Sequence, residues 1–146
     1  MNRIYWDTML FIYLLDDRKP YSDRIESIFE WIRDRGDVLC TSAFTVGEIL
    51  VAPNKTGDRI LERKIMGFFD SGEIEVIPFQ HEAAIRFAKI RSANNVSPAD
   101  AVHLACAAPV GVDLFLTNEQ KLRKVVVPGI RFIDGIETSL LAPSAA

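Results

Sequence analysis

Ile4-Tyr5-Trp6-Asp7-Thr8 is the stretch that decides the fold, because three large apolar residues run directly into a carboxylate. A short, unbroken apolar run rich in Ile and aromatic residues is typical of a strand buried on both faces of a parallel sheet. We therefore predict a first strand that ends at Trp6. Asp7 would then lie at its carboxyl end, where open α/β sheets place their ligand crevice. The alternative is that Asp7 only caps the next helix, since Asp is a favoured N-cap residue.

The rest of the chain alternates strand and helix patterns. Further strands are predicted at 38–41, 74–77, 114–117 and 131–133. Helices are predicted at 8–15, 22–35, 42–52, 58–71, 81–92, 97–108 and 119–124. Ser22 and Ser42 are expected to cap their helices, and Pro53 to stop one. This alternation predicts an α/β fold whose central sheet is mostly parallel, has four to five strands and carries helices on both faces.

Length and composition favour one soluble domain. The chain has 146 residues and 49% hydrophobic residues, which suits a single domain over 1–140 with a short frayed tail at 141–146. Cys40 and Cys106 lie in apolar surroundings without CxxC spacing, so we expect free, buried thiols in a reducing compartment. The apolar run 9–15 is too short to span a bilayer and lacks a signal-peptide cleavage site. These features predict a cytoplasmic protein with no membrane partner.

The net charge of −3 gives no global basic field that would indicate nucleic acid, so contact with nucleic acid would need a local patch or metal ions. Basic side chains do cluster on three segments: Arg59, Arg63 and Lys64; Arg86, Lys89 and Arg91; and Lys121, Arg123 and Lys124. They either solvate helix faces or, if they flank an acidic pocket, hold an RNA backbone.

Glu48 is the residue that fits its surroundings least well. It shares a predicted helix face with Phe44 and Val51, and the other faces of that helix are also apolar. This pattern predicts a buried helix, and a buried unpaired carboxylate is strongly unfavourable. Glu48 therefore either forms an internal salt bridge with an Arg or Lys or has a functional role.

Asp100 belongs to a helix-start pattern. In Ser97-Pro98-Ala99-Asp100, Ser97 can cap, proline suits the first helical position, and an acid stands third, as in a capping box. One interpretation is that Asp100 is only part of this helix start. The other is functional, because the same geometry places a carboxylate at a helix N-terminus that could meet the sheet edge. His103 follows on nearly the same face, where a lone histidine more often packs or supports a ligand than serves as one.

Leu116-Thr117-Asn118-Glu119 is a fourth place where an apolar strand ends in polar residues and an acid. Asp113 starts that strand, roughly 13 Å from Thr117, so we favour Glu119 and interpret Asp113 as a solvated loop residue. The alternative for Glu119 is a first-turn acid that only favours the helix dipole. Thr8, Ser97 and Thr117 carry hydroxyls and stand within a few residues of these acids in the sequence. They either orient water or phosphate or, more commonly, form caps and turns.

Together these motifs resemble the PIN-domain family, the metal-dependent ribonuclease fold that includes VapC-type toxins. The resemblance covers nearly the whole chain. It rests on Asp7 in Ile-Tyr-Trp-Asp-Thr, Glu48 in Thr-Val-Gly-Glu-Ile-Leu, Asp100 in Ser-Pro-Ala-Asp-Ala-Val-His-Leu-Ala, and the triplet Thr117-Asn118-Glu119. The family pattern at the last place is usually Thr-Asn-Asp, so Glu119 is a departure.

The resemblance implies a PIN-like three-layer α/β/α sandwich in which four acids converge as catalytic residues and metal ligands: Asp7, Glu48, Asp100 and Glu119. Thr8, Thr117 and Asn118 would support them. Two carboxylates about 4 Å apart repel by roughly 4 kcal/mol at an effective dielectric of about 20, so a group of three or four needs a cation, or some of its members must be protonated. Oxygen-only ligands without a Cys or His cluster select Mg²⁺ or Mn²⁺ over Zn²⁺.

The function implied by the resemblance is that of a Mg²⁺- or Mn²⁺-dependent endoribonuclease, the toxin of a type II toxin–antitoxin pair. Its partners would be an RNA substrate, an antitoxin protein and a second copy of the chain. An alternative is a PIN-like module that binds RNA or a partner and has lost activity, which Glu119 favours. A phosphatase or phospho-receiver with Asp7 as nucleophile is a third possibility. It would leave Glu48 and Asp100 unexplained.

Overall fold

A computed structural model of the chain describes residues 2–141, whose strands form a single five-stranded sheet. The strands are β1 (Arg3–Trp6), β2 (Val38–Ser42), β3 (Ile74–Ile77), β4 (Val112–Leu116) and β5 (Ile130–Asp134). The helices are α1 (Thr8–Leu15), α2 (Ser22–Arg35), α3 (Ala43–Thr56), α4 (Arg59–Phe69), α5 (His81–Ala93) and α6 (Pro98–Val110), and a short 3₁₀ helix follows at Gln120–Lys124.

The strand order is β3-β2-β1-β4-β5 and every neighbouring pair is parallel. The predicted α/β fold with a mostly parallel sheet of four to five strands is thus confirmed. β1 lies at the centre, and the chain order reverses between β1 and β4. In open parallel sheets, a ligand crevice forms at this switch point, beyond the carboxyl ends of the strands. Because Trp6 pairs with Leu116, the residues that follow these two strands, Asp7 and Thr117, come side by side.

The sheet separates two apolar layers because successive strand side chains point to opposite faces. Ile4 and Trp6 belong to the layer that packs against α1 to α4, where the rings of Trp6 and Phe11 lie 5.0 Å apart. Tyr5 belongs to the opposite layer with α5 and α6, and its ring stacks on that of Phe115 at 4.7 Å. This arrangement is the predicted three-layer sandwich, and it fixes the orientation of the residues that follow β1.

Two helices continue past a proline, and for one of them the sequence predicts a stop there. Pro53 lies inside α3, which continues to Thr56, so the predicted stop at 52 is wrong. The side chain of Asn54 donates to the carbonyl of Leu50 at 2.8 Å, within the same helix. Pro109 is likewise inside α6, which runs two residues beyond the predicted end.

Two smaller predictions also differ from the structure. Ser22 was expected to cap α2, but Tyr21 holds the N-cap position and Ser22 is the first helical residue, fully buried. Leu141 was assigned to a frayed tail, yet its side chain is 1% exposed and belongs to the core layer of Ile4 and Trp6. The remainder of the predicted tail, 142–146, lies outside the described residues.

Cys40 and Cys106 are both free and buried, as predicted, and burial raises the pKa of the Cys106 thiol to about 11. None of the helices within residues 2–141 has the length and apolar character needed to cross a membrane.

Candidate active site

Asp7 lies at the carboxyl end of β1 with only 8% of its surface exposed. It occupies the N-cap position of α1, but its side chain makes no capping hydrogen bond of good geometry. The Thr117 hydroxyl donates to Oδ2, whereas Oδ1 is buried and has no partner within residues 2–141. Burial raises the pKa of Asp7, and the bond from Thr117 opposes that rise. A buried carboxylate oxygen without a partner is costly, which points to a missing ligand.

Glu48 projects from α3 toward the same place. Its Oε1 accepts hydrogen bonds from the Thr8 hydroxyl at 2.5 Å and from His103 Nε2 at 3.1 Å. These bonds, led by that of His103, lower the pKa of Glu48 against the opposing effect of burial. The internal salt bridge to an Arg or Lys that the sequence left open is therefore not formed among the described residues. The predicted burial of the whole helix is wrong, because Val51 is 49% exposed and only one side of α3 packs inward.

His103 connects Glu48 to the centre of the sheet. Its ring is buried, and Nδ1 forms a 2.7 Å hydrogen bond with the Tyr5 hydroxyl. The ring also packs edge-on against the rings of Tyr5 and Phe44. Burial raises the pKa of Tyr5, which therefore keeps its proton. Since an ionised carboxylate only accepts, the consistent assignment is that Tyr5 donates to Nδ1 and Nε2–H donates to Glu48. His103 thus supports a candidate ligand, which agrees with the role that its pattern favoured.

Asp100 is half-buried at the start of α6, where the Ser97 hydroxyl accepts its backbone N–H at 3.1 Å. The predicted N-terminal cap is therefore present. The Asp100 carboxylate also faces the acid after β1, since its charge contributes to the raised pKa of Asp7. Both residues line an open cleft of about 270 Å³ whose other walls are Thr8, Met9, Ile12, Glu48, Ala99 and His103.

Glu119, the fourth predicted acid, is exposed and does not line this cleft. Its carboxylate caps the 3₁₀ helix by accepting the backbone N–H of Lys121 at 3.2 Å. Of the two residues before it, Thr117 contacts a cleft acid and Asn118 does not. Thr117 accepts the Glu119 N–H while donating to Asp7, and Asn118 donates to the Tyr13 hydroxyl at 2.9 Å. The fold thus gathers three of the four predicted acids at one edge.

Asp113 lies within β4 and is not a solvated loop residue, because the strand begins earlier than predicted. Its carboxylate accepts the backbone N–H of Arg3 at 2.9 Å, at the amino end of β1. That position is the wrong end of the sheet for the cleft, as the strand-length argument predicted. Sequence reasoning missed Tyr5, whose signal was a hydroxyl in an otherwise apolar buried strand, since such a group needs a partner.

The donor set fits a hydrated hard cation. The cleft offers carboxylate oxygens from Asp7, Glu48 and Asp100, one of them unpartnered, and neither cysteine. Within residues 2–141, no group of three acidic, histidine or cysteine side chains lies close enough together to hold a metal ion by itself. Mg²⁺ usually keeps several waters and binds through one or two carboxylates, so it does not need such a group. The arrangement therefore suits Mg²⁺ or Mn²⁺ better than a closed zinc site.

The three basic clusters are partly committed to the fold. Arg86 pairs with Glu82, and Arg123 pairs with Glu137. Arg91 donates to the carbonyl of Val96 at 2.7 Å. Within the three clusters, the exposed basic residues that make no such bond to the described residues are Arg59, Arg63, Lys64, Lys89, Lys121 and Lys124. Of the cluster residues, these six are available to hold an anionic backbone.

Comparison with known proteins matches this arrangement to one family. The family model described as the PIN domain matches residues 4–127, a range that contains all four predicted acids. No curated protein matches the sequence significantly.

Several solved structures share the fold. VapBC2 from Rickettsia felis, bound to a DNA fragment from its promoter, has a TM-score of 0.72 at 13% identity, with 91% of this chain and 98% of that chain covered. A toxin–antitoxin complex from Klebsiella pneumoniae gives 0.65 at 19% identity, covering 87% and 94%. VapC20 from Mycobacterium tuberculosis, described as a sarcin–ricin loop cleaving toxin, gives 0.62 at 15% identity, covering 77% and 86%. At these identities the likeness shows the fold alone.

Proposed function

This chain belongs to the PIN-domain family, whose members are generally nucleases, and from that membership we propose that it is a metal-dependent endoribonuclease. The observation that carries the proposal is the cleft at the switch point of the sheet. It gathers Asp7, Glu48 and Asp100 from three separate parts of the chain and leaves one buried carboxylate oxygen of Asp7 without a partner.

The cleft residues divide into ligands and supports. Asp7 would hold the ion through Oδ1 while Thr117 fixes its other oxygen, and Glu48 and Asp100 would complete the anionic wall. When bound, Mg²⁺ or Mn²⁺ supplies charge neutralisation at the phosphate and lowers the pKa of water. Hydrolysis adds the water oxygen to phosphorus and breaks the bond to the 3′ oxygen. The products therefore carry a 5′-phosphate and a 3′-hydroxyl.

The biological setting that we propose is a type II toxin–antitoxin pair in the cytoplasm. Three structures that share the fold are described as VapBC proteins, a toxin–antitoxin complex and an RNA-cleaving toxin. These descriptions support an antitoxin partner and an RNA substrate, and we add a homodimer as the assembly of the toxin. The six unpaired basic side chains would hold the RNA backbone against the acidic cleft.

The test is cleavage of a panel of structured RNAs by the purified chain in Mn²⁺. Asp7→Asn should lower the rate at least about a hundredfold, and chelation should abolish cleavage. Asp34→Asn, at an exposed position of α2, is the matched control and should cleave like the wild type. Mapping of the product ends should show 5′-phosphates.

A catalytically weakened binding module is the second candidate. The observation that favours it is Glu119, whose exposed carboxylate is occupied as a helix cap. Failure of the wild type to cleave any RNA in Mn²⁺, or equal cleavage by Asp7→Asn, would favour this module over the nuclease.

A further inference from the structure

A chain of four hydrogen-bonded side chains runs from the centre of the sheet to the cleft. Tyr5 comes from β1, His103 from α6, Glu48 from α3 and Thr8 from α1. The contacts are 2.7 Å from Tyr5 to His103, 3.1 Å from His103 to Glu48, and 2.5 Å from Thr8 to Glu48. Three parts of the chain that are distant in sequence therefore meet at Glu48: β1 with the adjoining α1, then α3, and then α6.

The two bonds to Glu48 are asymmetric. Both end on Oε1, so Oε2 carries none of the hydrogen bonds in the described part of the chain. A glutamate has three side-chain torsions, and a third of this side chain is exposed, so without these bonds its carboxylate would sample several positions. Fixing one oxygen fixes the direction in which the other points.

Tyr5, the donor at the buried end of this series of hydrogen bonds, is held in place by packing. Tyr5 is fully buried, and its ring lies parallel to that of Phe115, with 6° between the planes. The His103 side chain is 4% exposed, and its ring is held between the edges of Tyr5 and Phe44. The tautomer that donates from Nε2 is selected because the Tyr5 hydroxyl occupies Nδ1.

We propose that His103, backed by Tyr5, is a positioning residue that fixes the Glu48 carboxylate so that Oε2 is presented to the divalent ion. The inference deepens the proposed function and rests on it, since it assigns a role within the same site. Residues that orient metal ligands in this way typically change metal affinity or activity by ten- to a hundredfold when they are altered. A histidine that only packed would change stability and leave metal affinity alone.

The test compares two amides at position 103. In His103→Gln the amide nitrogen lies near the place of Nε2 and can still donate to Glu48. In His103→Asn the amide is shorter and reaches only toward Tyr5. His81→Gln is the matched control, because His81 is exposed at the start of α5. Mn²⁺ binding to each folded protein is measured directly by calorimetry, with the melting temperature recorded in parallel and RNA cleavage assayed separately.

We expect His103→Asn to weaken Mn²⁺ binding at least tenfold, His103→Gln to stay within about threefold of the wild type, and His81→Gln to bind like the wild type. Tyr5→Phe, which keeps the stacked ring and removes the hydroxyl, should weaken binding by a few fold. Equal Mn²⁺ affinity in folded His103→Asn and wild type would overturn the inference, as would a wild type that binds no Mn²⁺. If the wild type binds Mn²⁺ with the expected dependence on His103 but cleaves no RNA, the proposed nuclease fails and the positioning role stands.

Discussion

Thr117 donates its hydroxyl hydrogen to Asp7, joining the residues that directly follow β4 and β1. The backbone repeats the link, because the Asp7 N–H donates to the Leu116 carbonyl at 3.2 Å. The same threonine accepts the N–H of Glu119, so its hydroxyl is fixed in both directions. One side chain thus holds the central acid and shapes the turn that carries the fourth motif.

Replacement of Thr117 should separate the contribution of its two hydrogen bonds from that of the packing of its side chain. Thr117→Val keeps the volume but removes both hydrogen bonds, and we expect a loss of about 1–3 kcal/mol in the free energy of unfolding and about tenfold in cleavage. Thr117→Ser restores the hydroxyl and should recover most of both. Denaturant unfolding and initial rates measure the two effects. A serine variant as poor as the valine variant would show that the methyl group, not the hydroxyl, matters.

Asp7→Asn should remove metal-dependent activity without destabilising the metal-free fold. Burial raises the pKa of Asp7, so the ionised form opposes folding, and this cost grows as the pH rises from the ordinary value of 3.8 through the folded value. At neutral pH the metal-free asparagine variant should be at least as stable as the wild type. The difference should vanish in acid, where Asp7 is protonated. Thermal unfolding with chelator across pH measures this, and a variant less stable at neutral pH contradicts it.

Glu48→Gln should show the opposite dependence on pH. The hydrogen bonds from His103 and Thr8 lower the pKa of Glu48, so its contribution to stability is present above the ordinary value of 4.5 and is lost as the pH falls through the folded value. The glutamine variant should melt below the wild type at neutral pH, and the gap should close in acid. A gap that stays constant from neutral pH to below 4.5 would refute the assignment.

Two substitutions at Glu119 should decide whether its role is that of a cap. Glu119→Gln keeps an oxygen that can accept the Lys121 N–H, so we expect cleavage within about twofold of the wild type. Glu119→Ala loses the cap and should cost about 0.5–1 kcal/mol of stability. Cleavage rates in the presence of metal measure the first effect, and unfolding curves measure the second. A tenfold loss of activity in the glutamine variant would show that the carboxylate itself serves the reaction.

The neighbours Leu140 and Leu141 provide a matched test of where the core ends. Leu141 is 1% exposed, whereas Leu140 is 47% exposed. Leu141→Ala should lower the free energy of unfolding by about 2–4 kcal/mol through the cavity that it creates. Leu140→Ala should cost less than about 1 kcal/mol. Equal effects in urea unfolding would argue against a buried Leu141.

The bounds of β1 and α1 could be predicted to the residue, because an apolar run, a carboxylate and a helix pattern follow one another without ambiguity. The ends of α3 and α6 could not. Pro53 and Pro109 carry a strong local signal for a break, and packing in the folded state overrides it. The switch point between β1 and β4 could not be predicted, because alternating strands and helices are compatible with several strand orders in a parallel sheet.

The positions of the site residues could be predicted where a charged side chain stands in an otherwise apolar segment. Asp7 and Glu48 stand out in the sequence because each places a carboxylate among apolar residues, where an unpaired charge is unfavourable. Both residues line the cleft. That the Glu119 side chain turns to the 3₁₀ helix and not into the cleft could not be predicted, because spacing does not show which way a side chain turns. The contact of Tyr5 with His103 joins residues 98 positions apart, so no local pattern could reveal it.

The central position of β1 determines how early during synthesis the cleft can form. β1 is the first strand to be synthesised, but its neighbour β4 follows more than a hundred residues later. A nascent chain that has not yet emerged past α6 and β4 lacks Asp100 and Thr117 beside Asp7. The cleft can therefore assemble on a growing chain only after β4 and the threonine that follows it have been made.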